Sequence, residues 1–77
     1  MKSRFRVGNI IQFVNGHHWE GCIGIVEEIK EFDDDCRLLI AVQVPHEYTA
    51  YIYALESKNQ LELCGNALII PGLEEDE

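Results

Sequence analysis

Nowhere does the chain set apolar side chains at i, i+3, i+4 and i+7 across about eleven residues, the stripe that an amphipathic helix needs. Its apolar residues instead alternate with polar ones in short runs. Turn-forming clusters cut these runs about every ten residues: Val7-Gly8-Asn9, Asn15-Gly16, Asp33-Asp34-Asp35, Val44-Pro45, Ser57-Lys58-Asn59 and Cys64-Gly65-Asn66. Period-two alternation interrupted this often predicts an all-β domain of short strands.

The expected strands follow from that alternation. Asn9–Val14 places Ile11 and Phe13 on one face and Ile10, Gln12 and Val14 on the other. Gly21–Lys30 is rich in β-branched residues, but Ile25 and Val26 are adjacent and both apolar, so a bulge or bend is expected near Glu27-Glu28. Glu31–Asp35 reads as a hairpin connection. In Arg37–Val44, Leu38, Ile40, Val42 and Val44 share a face, and Pro45 ends the run because it has no N–H for the ladder. Tyr48–Ala54 turns Ile52 inward and Tyr51 and Tyr53 outward. Leu55–Asn59 fits one tight helical turn and Leu61–Leu63 a short fifth strand. Ala67–Ile70 fits a sixth strand, after which the acidic tail 73–77 is expected to be disordered. Ile11, Phe13, Ile40, Val42 and Ile52 are the expected core of a closed sheet.

The chain has 77 residues, enough for one small domain spanning 1–72. No apolar run approaches the roughly 20 residues of a membrane-spanning helix. The basic start Met1–Arg6 is not followed by a hydrophobic stretch of signal-peptide length. With three cysteines (Cys22, Cys36, Cys64) at spacings that suggest no disulfide framework, a cytoplasmic protein is expected. The net charge is −8. Lys2, Arg4 and Arg6 supply half of the six basic residues, and the rest of the chain sets three basic side chains against fourteen acidic ones. A body this acidic repels a polyanion, so nucleic-acid binding is not expected unless the basic arm acts alone.

Two stretches, Arg6–Phe13 and Gly21–Ile29, together resemble the SH3-like barrel superfamily, including its KOW-type members. In the first, Gly8, Asn9 and Ile11 match the family's opening of a glycine, a polar residue and an aliphatic in a strand. In the second, Gly21 and Gly24 stand three apart, with Val26 and Ile29 after them. Tyr53–Glu56 followed by Leu61–Leu63 is similar to the last strand, 3₁₀ turn and closing strand of these barrels. The resemblance spans about Arg6 to Cys64. It implies a small, partly open β-barrel of five strands, with a sixth in reserve, acting as an interaction or complex-accessory module. The chain departs from the peptide-binding members in having one tryptophan, Trp19, placed in the first long loop. It departs from the KOW members in being acidic.

Several constellations could carry chemistry. Adjacent His17 and His18 point to opposite sides of an extended chain, and Cys22, Cys36, His46 and Cys64 are scattered singly, so no metal site is expected. A nucleophilic Cys–His pair would need an orienting group and a water-excluding pocket that a chain this small hardly supplies. Glu31, Asp33, Asp34 and Asp35 lack the spacing of a calcium loop. The expectation is therefore a protein that is not an enzyme, with no catalytic residue and no cofactor. Its partner-binding residues would be Tyr51, Tyr53 and Trp19 with the acids Glu20 and Glu47, facing a basic protein partner. Self-association through an edge strand is a special case of this reading. The alternative is a KOW-type nucleic-acid or ribosome-binding accessory module using Lys2, Arg4, Arg6, His17 and His18.

Overall fold

A computed structural model describes residues 1–66 of the chain. It contains five strands, β1 (Asn9–Phe13), β2 (Ile23–Glu31), β3 (Cys36–Val44), β4 (Tyr48–Leu55) and β5 (Leu61–Asn66), with a 3₁₀ turn at Glu56–Lys58 between the last two. All pairings are antiparallel, and the strands lie in the order β4-β3-β2-β1-β5. The expected sixth strand at Ala67–Ile70 and the tail 73–77 lie outside the described residues.

The alternation of the sequence becomes the two faces of this sheet. Phe5, Ile11, Phe13, Val26, Cys36, Leu38, Ile40, Val42, Ala54 and Leu61 form the buried core. Four of the five expected core residues are in it. Ile52 is half-buried and packs against it, because β4 is an edge strand with a neighbour on one side only. The bulge expected near Glu27-Glu28 is present: Val26 pairs with Ile40 but Glu28 with Leu39, so Glu27 is the extra residue. That insertion returns Ile29 to the core side opposite Leu38.

Two expectations are corrected. The sheet is not a β-barrel: among the described residues β4 and β5 are its two free edges and do not pair, so it is open. The gap is bridged by side chains of the N-terminal arm, not by a ladder. Phe5 enters the core, Arg4 forms an ion pair with Glu56 at 3.5 Å, and Ser3 donates to Glu56 at 2.6 Å. The second correction concerns β5, which does not stop at Leu63 but runs through Cys64 and Gly65 to Asn66. A register shift between Ile10 and Ile11 lets Gly65 pair with Ile10 and Asn66 with Asn9, and the two asparagine side chains hydrogen-bond.

The connections follow their turn chemistry. Asn15 and Gly16 both take positive φ (54° and 81°), which an Asn-Gly pair accepts at least strain. Between β3 and β4, Pro45 is followed by His46 at φ 63°, and Glu47 N–H donates to the Val44 carbonyl at 3.1 Å. Proline followed by a positive φ is the signature of a type II turn.

Candidate functional site

The face of the sheet turned away from the core is apolar at its centre. One row crosses all five strands: Gly65, Ile10, Ile25, Ala41 and Tyr51 are successive cross-strand partners. A second row sets Glu28, Leu39 and Tyr53 side by side, and a third Lys30, Arg37 and Leu55. Ile23 lies beside Gln12 on the same face. Five large side chains there are well exposed: Ile23 (54%), Ile25 (38%), Tyr51 (63%), Tyr53 (59%) and Leu55 (38%). The guanidinium of Arg37 lies 4.5 Å from the centre of the Tyr53 ring, a cation–π contact on this face. A row of large apolar side chains on a solvent-facing sheet is the pattern of a docking surface.

The expected binding residues are only partly assembled. Tyr51 and Tyr53 stand together on this outer face. Trp19 does not join them: it is half-buried and packs against the core cluster, on the opposite side of the sheet. Glu20 lies in the same connection as Trp19 and accepts from the Gly16 N–H at 3.2 Å. Glu47 is exposed in the turn before β4. Ile23, Ile25 and Leu39 belong to the face, yet their alternation alone did not mark them. The register needed to align β2 with β4 passes through the bulge at Glu27, where simple parity fails.

The basic arm is spread out. Arg4 is committed to Glu56 and to the Leu61 carbonyl at 3.5 Å, and its guanidinium lies 4.8 Å from the Phe5 ring centre. Arg4, Phe5, Val14, Asn59 and Leu61 line an open cleft of about 510 Å³ beside β5. Lys2 and Arg6 border a different cleft, with Ile29 and Glu31. His18 is exposed, whereas His17 is half-buried, its ring centre 4.4 Å from that of Phe13.

His17 Nδ1 accepts the Trp19 N–H at 2.9 Å. Burial first, and then the neighbouring His18, hold the His17 pKa below its ordinary value of 6.5. In the window between the lowered and the ordinary value the unfolded chain binds more protons than the native one. Native stability is therefore unaffected well above pH 6.5 and falls as pH drops through that window. His17→Asn keeps an oxygen to accept the Trp19 N–H but cannot titrate. It should flatten the change in urea midpoint between about pH 7.5 and about pH 5.5 relative to the parent. An unchanged slope would assign the pH dependence to other groups.

The acidic hairpin is structural. Phe32 N–H donates to the Asp35 carbonyl at 2.8 Å, closing the turn. The Asp35 carboxylate accepts from the Cys36 N–H (2.7 Å), the Ser57 N–H (3.0 Å) and the Ser57 hydroxyl (2.6 Å), tying the hairpin to the 3₁₀ turn. The Ser57 hydroxyl is the largest cause holding the Asp35 pKa below the usual carboxylate value. Among the described residues no group of three or more His, Cys, Asp or Glu side chains could hold a metal ion. Burial pushes the Cys36 thiol pKa up, so it stays protonated, and it donates to the Met1 carbonyl at 3.3 Å. No hydrogen bond among the described residues joins a cysteine to a histidine.

No described helix is long and apolar enough to cross a membrane. No protein-family model, no curated protein and no solved structure matches the chain. The described residues form a small domain built on an open, five-stranded antiparallel sheet with one apolar face exposed.

Proposed function

We propose that the chain is a non-catalytic interaction module of SH3-like form that docks a protein partner on the outer face of its sheet. The observation that carries this reading is the cross-strand row Ile10, Ile25, Ala41 and Tyr51, flanked by Ile23, Leu39 and Tyr53. Tyrosine supplies large, stiff contact area with a polar tip, which suits an interface better than a solvated surface. Arg37, next to Tyr53 and cross-strand from Lys30, offers hydrogen-bond donors at the margin of the apolar row. The strong net acidity would speed the approach of a basic partner, whose contacts on the face itself would be mainly apolar. The strand order and the short 3₁₀ turn before the last strand support the SH3-like reading of the open sheet.

The test uses a displayed library of random peptides selected on the folded chain, followed by titration of one selected peptide. The expected peptide is rich in apolar and basic residues and shifts the backbone amide signals of Ile25, Ala41 and Tyr51. The double variant Tyr51→Ala/Tyr53→Ala should keep its urea midpoint and bind that peptide at least about tenfold more weakly. Peptides that bind both forms equally would overturn the reading. A double variant that no longer folds would place the two rings in the stabilising core and overturn it as well.

A further inference from the structure

We propose that two copies of the chain associate through the free edge of β4, joining their sheets into one continuous antiparallel sheet about a two-fold axis. This goes beyond the docking face and does not rest on it.

The argument starts from what β4 lacks. Proteins protect an edge strand with lysines, prolines, bulges or a covering segment. Tyr48–Leu55 reads Tyr-Thr-Ala-Tyr-Ile-Tyr-Ala-Leu, with no charge, no proline and no glycine. Its pairing with β3 runs through eight consecutive residue pairs without a register shift, so the edge is long and unbroken. Apart from that ladder, no backbone hydrogen bond among the described residues reaches Tyr48–Leu55. Alternate amides and carbonyls of β4 therefore point outward as a template for another strand. The opposite edge is different: β5 carries Glu62, and its ladder is interrupted at Ile10/Ile11.

The occupant follows from charge and self-complementarity. The chain carries a net −8, so a second copy is acceptable only where acids do not meet. An antiparallel pair centred on Ile52 sets Tyr51 against Tyr53 of the second copy, twice over. It also sets Ala50 against Ala54, and Thr49 against Leu55. Aromatic side chains then meet across strands on the outer face, and alanines flank an Ile52–Ile52 contact on the core side, with no charged residue opposite another. The flanks are mixed in charge: the end bearing Glu47 falls beside Ser57 of the other copy, between its Glu56 and its Lys58, and Glu56 there is buried and already paired with Arg4. The charged and turn-forming residues Pro45, His46, Glu47, Glu56 and Lys58 end the pairable stretch on both sides. Each copy offers one such edge, so pairing consumes both and closes as a dimer.

The test is amide hydrogen exchange with sedimentation equilibrium on the full chain, from about 10 μM to about 1 mM. In a lone chain one alternate set of β4 amides faces β3 and exchanges slowly, while the other faces solvent and exchanges fast. The expected result is a two-chain mass at the upper concentrations, with both sets slow and the outward set slowing further as concentration rises. Thr49→Lys, at an exposed position, should weaken the dimer at least about tenfold and leave the urea midpoint in place at about 10 μM, below the dimer range. A single-chain mass throughout the range overturns the proposal. So does a two-chain mass with fast outward amides, which would move the contact to the outer face. Protection independent of concentration overturns it by placing part of the same chain on the edge. A mass above two chains with β5 amides protected overturns it in favour of head-to-tail pairing. Failure of peptide docking would leave the β4 amide result untouched, so the two readings fail separately.

Discussion

Gly24→Ala should destabilise the domain by about 3 kcal/mol or more, at the upper end of what overpacking a core costs. Gly24 sits on the core face of β2, opposite Ile11, where Ile40 and Val42 of β3 close over its backbone. A Cβ built there lies 2.5 Å from Ile40 Cγ2, 2.8 Å from the Ala41 carbonyl oxygen and 3.0 Å from Val42 Cγ2. The first and third neighbours are β-branched and stiff at χ1, and Ile40 is fully buried. The second is backbone, and Ala41 is held between Ile25 on β2 and Tyr51 on β4. None of the three can move without shifting the sheet. For a domain this small such a loss is a large part of a total that is itself near the lower end of about 5–15 kcal/mol. Urea unfolding measures it, with Gly65→Ala as the control. Gly65 lies in the same sheet, no heavy atom falls within 4 Å of its built Cβ, and its φ is not positive. A Gly24→Ala midpoint close to that of the control would show that the sheet slides apart at little cost. The close approach at Gly24 would then not be what sets its curvature.

The same position shows how far the sequence could be read. In Asn9–Val14 and Arg37–Val44 the bulkiest side chains recur at every second position (Ile11 and Phe13; Leu38, Ile40 and Val42), so the core residues of β1 and β3 follow from parity, although Ile10, Leu39 and Ala41 on the other face are apolar too. Gly24 and the adjacent pair Ile25-Val26 mark the bend and bulge of β2, because a strand buried on one face tolerates neither a missing side chain nor doubled apolar residues without a local device. Closure was not legible. Period-two patterning says which face a side chain takes, but it carries no information on whether the first and last edges meet. The answer lies with Glu56 and the arm Ser3–Phe5, and neither has a periodic signature. Glu56 reads as one more acid in an acidic chain, although it is among the most buried polar residues.

The candidate site was half legible for the same reason. Tyr51 and Tyr53 are placed outward by simple alternation about Ile52. Ile23 and Ile25 share their face only because Glu27 is skipped in the ladder with β3. Trp19 was misleading in the other direction. A tryptophan in a loop suggests an exposed anchor, but the loop folds back through the Cys22 N–H to Trp19 carbonyl bond at 3.0 Å and lays the ring against the core.

Glu56→Ala should cost about 2–4 kcal/mol and release the N-terminal arm, whereas Glu56→Gln should cost about half of that or less. The carboxylate accepts the Ser3 hydroxyl at 2.6 Å and the Arg4 N–H at 3.2 Å, and it pairs with the Arg4 guanidinium at 3.5 Å. The Ser3 hydroxyl in turn accepts the Phe5 N–H at 3.0 Å. This chain of bonds delivers the Phe5 ring into the core at the open side of the sheet. Alanine removes every acceptor and leaves a part-buried hydroxyl and amide unpaired, so the loss is their desolvation together with part of the burial of Phe5. Glutamine keeps an acceptor oxygen and loses mainly the charge. The charge contributes little, because the Arg4 side chain is 56% exposed and solvent screens the pair. Two measurements check the ordering. Urea unfolding should rank the parent above Glu56→Gln and that variant above Glu56→Ala, with salt changing the gap between the first two only slightly. Amide exchange at Arg4 and Phe5 should accelerate toward unfolded rates in Glu56→Ala while β3 stays protected. If alanine and glutamine are equally costly, the ion pair and not the neutral acceptor holds the arm. If Arg4 and Phe5 keep their protection in Glu56→Ala, the arm is anchored by Phe5 packing alone, and the polar chain through Ser3 is incidental to closing the open side of the sheet.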